Sequence, residues 1–250
     1  MKQKLNNKKK IAVGILSAVI LLLTGFLLTR MFVNINGKNY FVFTDDLDLF
    51  YYNLDGEPCD NTEVEDIARL KRLKSLSIQG NNITDVSFLE NMTSLETLLY
   101  WGNSEQVDFT PIQHCENLKE FCGGNFQLEN LAPFKKCTSL TTLSLEYVES
   151  RFLENNVSYI NDISDIKNLV NLEKLYIKGV NITDISALKY CTKLKTIDLY
   201  GTNAVDYSVL LELPELKSLS IDKGVLTESE IKALEGKGVE VREQDYSEEE

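Results

Sequence analysis

His114 and Cys115 stand side by side, the one thiol–imidazole neighbourhood in a chain with a single histidine and five cysteines. A nucleophilic thiol needs a base within hydrogen-bond reach. Side chains adjacent in sequence seldom meet that way. Cys115, Cys137 and Cys191 also each fall three residues before a recurring leucine, a place that Leu70, Met92, Leu169 and Leu213 fill elsewhere. Cysteine at such a position reads as a small buried hydrophobe. An odd total fits free thiols, although an exterior location permits disulfides. A bridge between Cys115 and Cys137, on adjacent units, is the alternative. Cys59 falls in a loop, and Cys122 projects from the concave face, where it is expected to be the reactive thiol of the chain. The sequence offers no spacing for a metal-ligand cluster, a phosphate-cradling glycine loop or a calcium loop. The Gly123-Gly124 pair falls on a strand, where it leaves room for a ligand or bends the sheet. The chain is therefore expected to have no enzymatic activity, cofactor or metal. The chemistry left to it is recognition.

The elements that position these residues repeat. Leu73, Leu95, Leu118, Leu140, Leu172, Leu194 and Leu216 begin successive units, with gaps of 22, 23, 22, 32, 22 and 22. Around most of these starts the spacing L-x-x-L-x-L recurs, as in Leu73-Leu76-Ile78 and Leu172-Leu175-Ile177. Ile83, Leu128, Ile182 and Leu226 fall ten residues after the start. Val86, Leu131, Ile185 and Tyr207 fall thirteen after, and Leu89, Phe134, Leu188 and Leu210 sixteen after. A fixed period in this range is the mark of a stacked solenoid. One unit cannot bury its apolar face alone, so neighbours must supply the core.

The segments "LKSLSIQGNNITDVSFLENMTSL" and "LEKLYIKGVNITDISALKYCTKL" resemble the leucine-rich repeat family in its 22-residue internalin-like form. The resemblance covers about residues 44–241. It implies an α/β repeat solenoid of about eight coils, with a parallel concave sheet, a short helical or irregular convex side and a binding role. It points to a bacterial membrane-anchored surface protein. The asparagine that the family places eight residues into the unit is present at Asn81 and Asn103. Phe126, Val148, Val180, Thr202 and Gly224 replace it elsewhere. That departure bears on the bends rather than on the fold.

The solenoid is preceded by an address. Residues 11–29 form an uncharged, mostly apolar run. As a helix it spans about 28 Å, close to the ~30 Å hydrocarbon core of a bilayer. Five lysines precede it and Arg30 follows. The positive-inside bias places residues 1–10 in the cytoplasm and the chain after residue 30 outside. A cleaved signal peptide competes with an uncleaved signal-anchor, but no small-residue cleavage site follows the run. The first 30 residues hold six of the 26 basic and none of the 38 acidic residues, so the remainder carries a net charge of −18. Such a surface argues against nucleic acid and anionic lipid as partners, and reads as a solvated surface that keeps the domain soluble.

Both ends read as capped. Asn36-Gly37 between two short apolar runs signals a hairpin. Thr227 and Glu230 have capping-box spacing before a short helix. The expected organisation is a basic tail at 1–10, a signal-anchor helix at 11–29 and a hairpin cap at 30–43. The solenoid then covers 44–226, a cap helix and strand 227–241, and an acidic disordered tail 242–250. An insertion between Val148 and Ile160 is expected to rim the concave face, with Arg151, Phe152, Leu153 and Tyr159 adding contacts.

Strand side chains alternate faces. With the leucines turned inward, the outward positions include Phe50, Leu99, Trp101, Glu146, Lys174, Tyr176, Lys178, Asp198 and Tyr200. Large apolar groups on one open face mark an interaction surface, and tryptophan and tyrosine are enriched at binding hot spots. The expected function is a membrane-anchored module outside the cell that binds a protein or peptide on this face. A structural scaffold, making its contacts through the convex side or the membrane helix, is the alternative.

Overall fold

A computed structural model of the 250-residue chain describes residues 30–49, 58–102, 106–146 and 160–245. It opens on a hairpin of β1 (Phe32–Ile35) and β2 (Lys38–Phe41). The turn between them places Asn36 at φ 48° and Gly37 at φ 77°. Two consecutive positive values are what a two-residue hairpin turn requires, and Asn-Gly meets them at low steric cost.

Nine further strands form one parallel sheet. In chain order they are β3 (Asp46–Asp48), β4 (Ser75–Gln79), β5 (Thr97–Trp101), β6 (Glu120–Gly124), β7 (Thr142–Glu146), β8 (Lys174–Lys178), β9 (Thr196–Asp198), β10 (Ser218–Asp222) and β11 (Glu240–Gln244). Their order in the sheet is their order in sequence. The register follows the repeat: Leu76 faces Leu98, Leu98 faces Phe121, Leu143 faces Leu175, and Leu175 faces Ile197. The expected eight coils and closing strand supply these nine strands.

The returns of the coils are short because 22 residues leave little chain after a strand. Most are 3-10 turns: Ser87–Asn91, Thr110–His114, Ala132–Phe134, Ser164–Asn168 and Ser186–Tyr190. Three are α-helical: α1 (Val64–Ile67), α2 (Ser208–Glu212) and α3 (Glu228–Gly236). An aspartate or asparagine starts each of these five 3-10 turns, and α2, by accepting a backbone N–H two residues on. Asp85 accepts from Ser87 at 2.9 Å, Asp108 from Thr110 at 2.9 Å, and Asn130 from Ala132 at 3.0 Å. Asp162, Asp184 and Asp206 do the same for Ser164, Ser186 and Ser208 at 2.7, 2.8 and 2.8 Å. Such side-chain turns replace a backbone bond that so tight a return cannot make.

Between sheet and returns runs one core. The leucines that begin the units are buried, as are Ile83, Val86 and Leu89 in one coil, Leu128, Leu131 and Phe134 in another, and Ile182, Ile185 and Leu188 in a third. Each such side chain contributes roughly 1.5–3 kcal/mol over leaving it in water. Asn81 spans neighbouring coils, accepting from Cys59 N–H at 2.8 Å and donating to the Leu49 carbonyl. Where Phe126 replaces the asparagine, the bend closes on aromatic packing. Phe126 meets Phe109 at 4.7 Å between ring centroids and Tyr100 at 5.6 Å, while Phe121 meets Phe134 at 4.8 Å.

The far end closes with α3, whose Thr227–Glu230 capping box is formed in both directions, and with β11, which pairs with β10 through Gln244 and so takes Arg242–Gln244 out of the expected disordered tail. Residues 1–29 lie outside the described residues, and the expected signal-anchor lies with them. Among the described residues no helix is long and apolar enough to cross a membrane.

Candidate interaction face

The outward face of the sheet follows from strand alternation, and its floor is made of small polar side chains. Ser75, Ser77, Thr97, Thr142, Ser144, Thr196, Ser218 and Ser220 all stand on it, and Ser77 and Ser144 are buried by their neighbours. Larger groups rise from this floor. Leu99 and Trp101 stand together on β5, both half-buried. Leu99 lies between Ser77 and Cys122 in the ladder, and Trp101 between Gln79 and Gly124.

Gly124 has a specific structural use. A Cβ there would stand 1.7 Å from the Glu146 carbonyl oxygen and 2.9 Å from Cζ3 of Trp101. The space that the glycine leaves is thus taken by the next strand's backbone and by the tryptophan ring, rather than kept for a ligand.

The remaining expected residues fall into three situations. Glu146 accepts from the Ser144 hydroxyl at 3.1 Å, Lys174 is exposed, and Tyr176 is half-buried between Ser144 and Asp198 in the ladder. Lys178 and Asp198 are joined to each other, with 3.3 Å between Nζ and Oδ2. Asp198 also accepts from Tyr200 N–H at 3.1 Å and is itself buried. Those two charges hold the sheet face together first. Tyr200 leaves the ladder: β9 ends at Asp198, and Tyr200 lies in the following turn, where its carbonyl accepts from Gly179 N–H at 3.1 Å. A carboxylate beyond that turn explains the departure. Asp222 accepts from Gly201 N–H with both oxygens, at 3.1 and 3.0 Å, and so draws the backbone off the strand path. Burial raises the Asp222 carboxyl above its ordinary value, the Gly201 N–H opposes that, and nearby Asp198 adds to it. Phe50 and the insertion carrying Arg151, Phe152, Leu153 and Tyr159 lie outside the described residues.

The thiols are not reactive centres. All five cysteines are free. Burial pushes Cys115, Cys137 and Cys191 up to about 12, and Cys115 feels Cys137 as well. Each donates its S–H to a carbonyl of the preceding coil, Leu89, Ile112 and Ile166 respectively. Cys122 does lie on the outward face and is partly accessible. Yet burial first, then the Glu120 and Glu146 carboxylates, push it up to about 12 as well, so its thiol stays protonated. The expected reactivity of Cys122 is thus overturned: strand alternation puts Glu120 and Glu146 on the same face, and their charge together with burial holds the thiol protonated. His114 is exposed at the end of its 3-10 turn. Among the described residues no three acidic, histidine or cysteine side chains gather as metal ligands.

Two features went unread in the sequence. The aspartate that caps these returns, replaced by Asn130 in one coil, recurs with the period of the leucines, so the signal was present. A charge ladder runs beside the strand starts, with Glu96 to Lys119 at 2.5 Å and Glu173 to Lys195 at 2.9 Å. Both are exposed pairs one coil apart, worth little individually in water.

This geometry has known counterparts. Residues 71–114 match the family model for leucine-rich repeats in two copies. Among solved structures, internalin C2 of Listeria monocytogenes is similar at 23% identity over 71% of this chain and 80% of that chain, with a TM-score of 0.57. An internalin F from the same organism aligns at 19% identity over 72% of this chain and 64% of that chain, with a TM-score of 0.44. No curated protein matches the sequence. The fold is that of the internalin-like leucine-rich repeats.

Proposed function

We propose that this leucine-rich repeat chain is a recognition module, held at the outside of a membrane by residues 11–29, that binds a protein or peptide on the outward, concave face of its sheet. The observation that carries this reading is Leu99 and Trp101 standing half-exposed over a floor of serines and threonines. A fold that needed only a solvated face would place polar groups there, as it does on most of the sheet. An indole beside a leucine offers a flat apolar contact, and the surrounding hydroxyls supply hydrogen bonds at its rim. Tyr176 and the exposed Lys174 extend the same face three strands further on.

The experiment is capture of partners from surface and envelope extracts by the full chain in mild detergent. The comparison is Trp101→Ala with Tyr176→Ala, checked by circular dichroism. A partner held by the parent and lost by the folded double variant supports the reading. A partner held equally by both moves the contact to the convex side or the insertion and overturns it.

A further inference from the structure

The two caps of this solenoid do the same structural job with opposite surfaces. A terminal unit must cover the core inwardly and face water outwardly, so its outer face should be polar. The C-terminal cap obeys: α3 exposes Glu228, Ser229, Lys232 and Glu235, with Lys237 exposed just past its end, and buries Leu234. The hairpin does not. Its inner face is ordinary, with Val33 and Ile35 buried in the core. On its outer face Phe32 and Phe41 are cross-strand partners, 45% and 39% exposed, and Phe43 follows at 50%. Their rings pack in a row, 5.6 Å from Phe32 to Phe41 and 5.1 Å from Phe41 to Phe43.

The row sits at the base of the hairpin, where the chain enters. At the other end the tip is polar, with Asn34 bonded to Asn39 at 3.0 Å. Phe32 is two residues after Arg30, hence within about 7 Å of it along the chain. The apolar run 11–29 ends at that point. The surroundings carry charge of both signs, with Asp45 and Asp46 exposed just after Phe43 and Asp66 paired to Arg69 at 3.0 Å, while the exterior as a whole is strongly acidic. Arg72 lies over the Phe43 ring at 5.6 Å, and Lys71 is exposed beside it. Arg69 binds the carbonyl of Phe32 at 3.2 Å and that of Arg30 at 3.4 Å, fixing the entry of the chain against α1.

We propose that this aromatic face of the hairpin seats in the headgroup region of the membrane. The occupant is lipid, because the face begins where the apolar run stops. Aromatic rings with arginines alongside also fit a boundary that is apolar on one side and anionic on the other. The inference rests on the reading of residues 11–29 as a membrane span and not on the concave binding face. Its consequence is orientation. The hairpin end rests on the bilayer, and the acidic remainder, carrying the concave face, stands away from it.

The test reconstitutes the full chain into vesicles of phosphatidylcholine and phosphatidylglycerol, part of the lipid brominated high on its acyl chains. Phe43→Trp and, separately, Phe41→Trp place an indole on the hairpin face. Tyr190→Trp places one at an exposed position far along the solenoid, and Trp101 is common to all. The expected result is a quenched emission component in the two hairpin variants that the Tyr190→Trp protein lacks. Vesicle-bound protein in which all three variants are quenched alike overturns the seating and leaves the span intact. Protein that fails to float with the vesicles overturns the span and the seating together.

Discussion

Cζ3 of Trp101 lies 2.9 Å from the place a Cβ on Gly124 would occupy, across the β5–β6 ladder. The glycine and the tryptophan are one unit: the first supplies the flat seat, the second the exposed face. A methyl at Gly124 would also meet the Glu146 carbonyl oxygen at 1.7 Å, which backbone cannot relieve cheaply. Gly124→Ala is expected to cost at least the ~1–3 kcal/mol of an overpacked site and to change the emission of Trp101. Urea unfolding and the fluorescence spectrum of the folded variant read the two effects, and an unchanged midpoint counts against the close approach.

Phe109 carries the aromatic core, touching Tyr100, Phe121, Phe126 and Phe134. Phe109→Ala is expected to destabilise the chain by about 3–5 kcal/mol. Because coils contact only their neighbours, the loss should be felt first near that coil. Hydrogen exchange can check this: protection should fall in β5, β6 and β7 before it falls in β10. A uniform loss along the solenoid speaks against nearest-neighbour stacking.

The capping aspartates predict acid sensitivity. The hydroxyls of Thr62 and Thr110 hold Asp60 and Asp108 below the ordinary carboxylate range, with the backbone N–H groups adding to it. The N–H groups of Ser186 and Ser208, helped by their hydroxyls, do so for Asp184 and Asp206. Each contribution is complete above the unfolded value near 3.8 and fades as the pH falls through the lower folded value. Asparagine keeps the acceptor oxygen without titrating, as Asn130 already does in its coil. Thermal melts of Asp108→Asn/Asp184→Asn/Asp206→Asn between pH 5 and 2 should therefore show a flatter pH dependence than the parent. Parallel curves would remove the caps from the account of acid unfolding.

Alkaline pH acts through the thiols. In the folded chain Cys115, Cys137 and Cys191 stay protonated up to about 12, against an ordinary value of 9.0. As pH rises past 9.0 the unfolded chain sheds protons that the folded chain keeps, so stability falls. Alkylation at pH 8 should leave these three unmodified in folded protein and modify them after unfolding. Cys122 should react only slowly despite its accessibility. Rapid labelling of Cys122 at that pH would place its thiol outside the influence of Glu120 and Glu146.

How much of this was legible depended on what the period imposes. The leucine ladder fixes which residues turn inward, so burial of Ile83, Leu188 and Ile221 and the outward position of Leu99 and Trp101 could be read directly. The capping box at Thr227 was legible because it is local. Tyr200 shows the limit: alternation extends β9 through it, but the Asp222 carboxylate one coil on captures Gly201 N–H and ends the strand early. The mutual pairing of Lys178 and Asp198 is likewise a contact between neighbouring coils, which spacing within one unit does not reveal. The outer phenylalanines of the hairpin were missed because three apolar residues beside a turn signal look like core.

Trp101 is the only tryptophan in the chain, so its emission reports directly on the proposed face. The most direct test is to titrate the captured partner into the full chain and follow that emission. The account predicts a saturable spectral shift with the same midpoint as binding measured independently, and loss of binding in Trp101→Ala. Tight binding that leaves the Trp101 spectrum untouched and survives Trp101→Ala would contradict it.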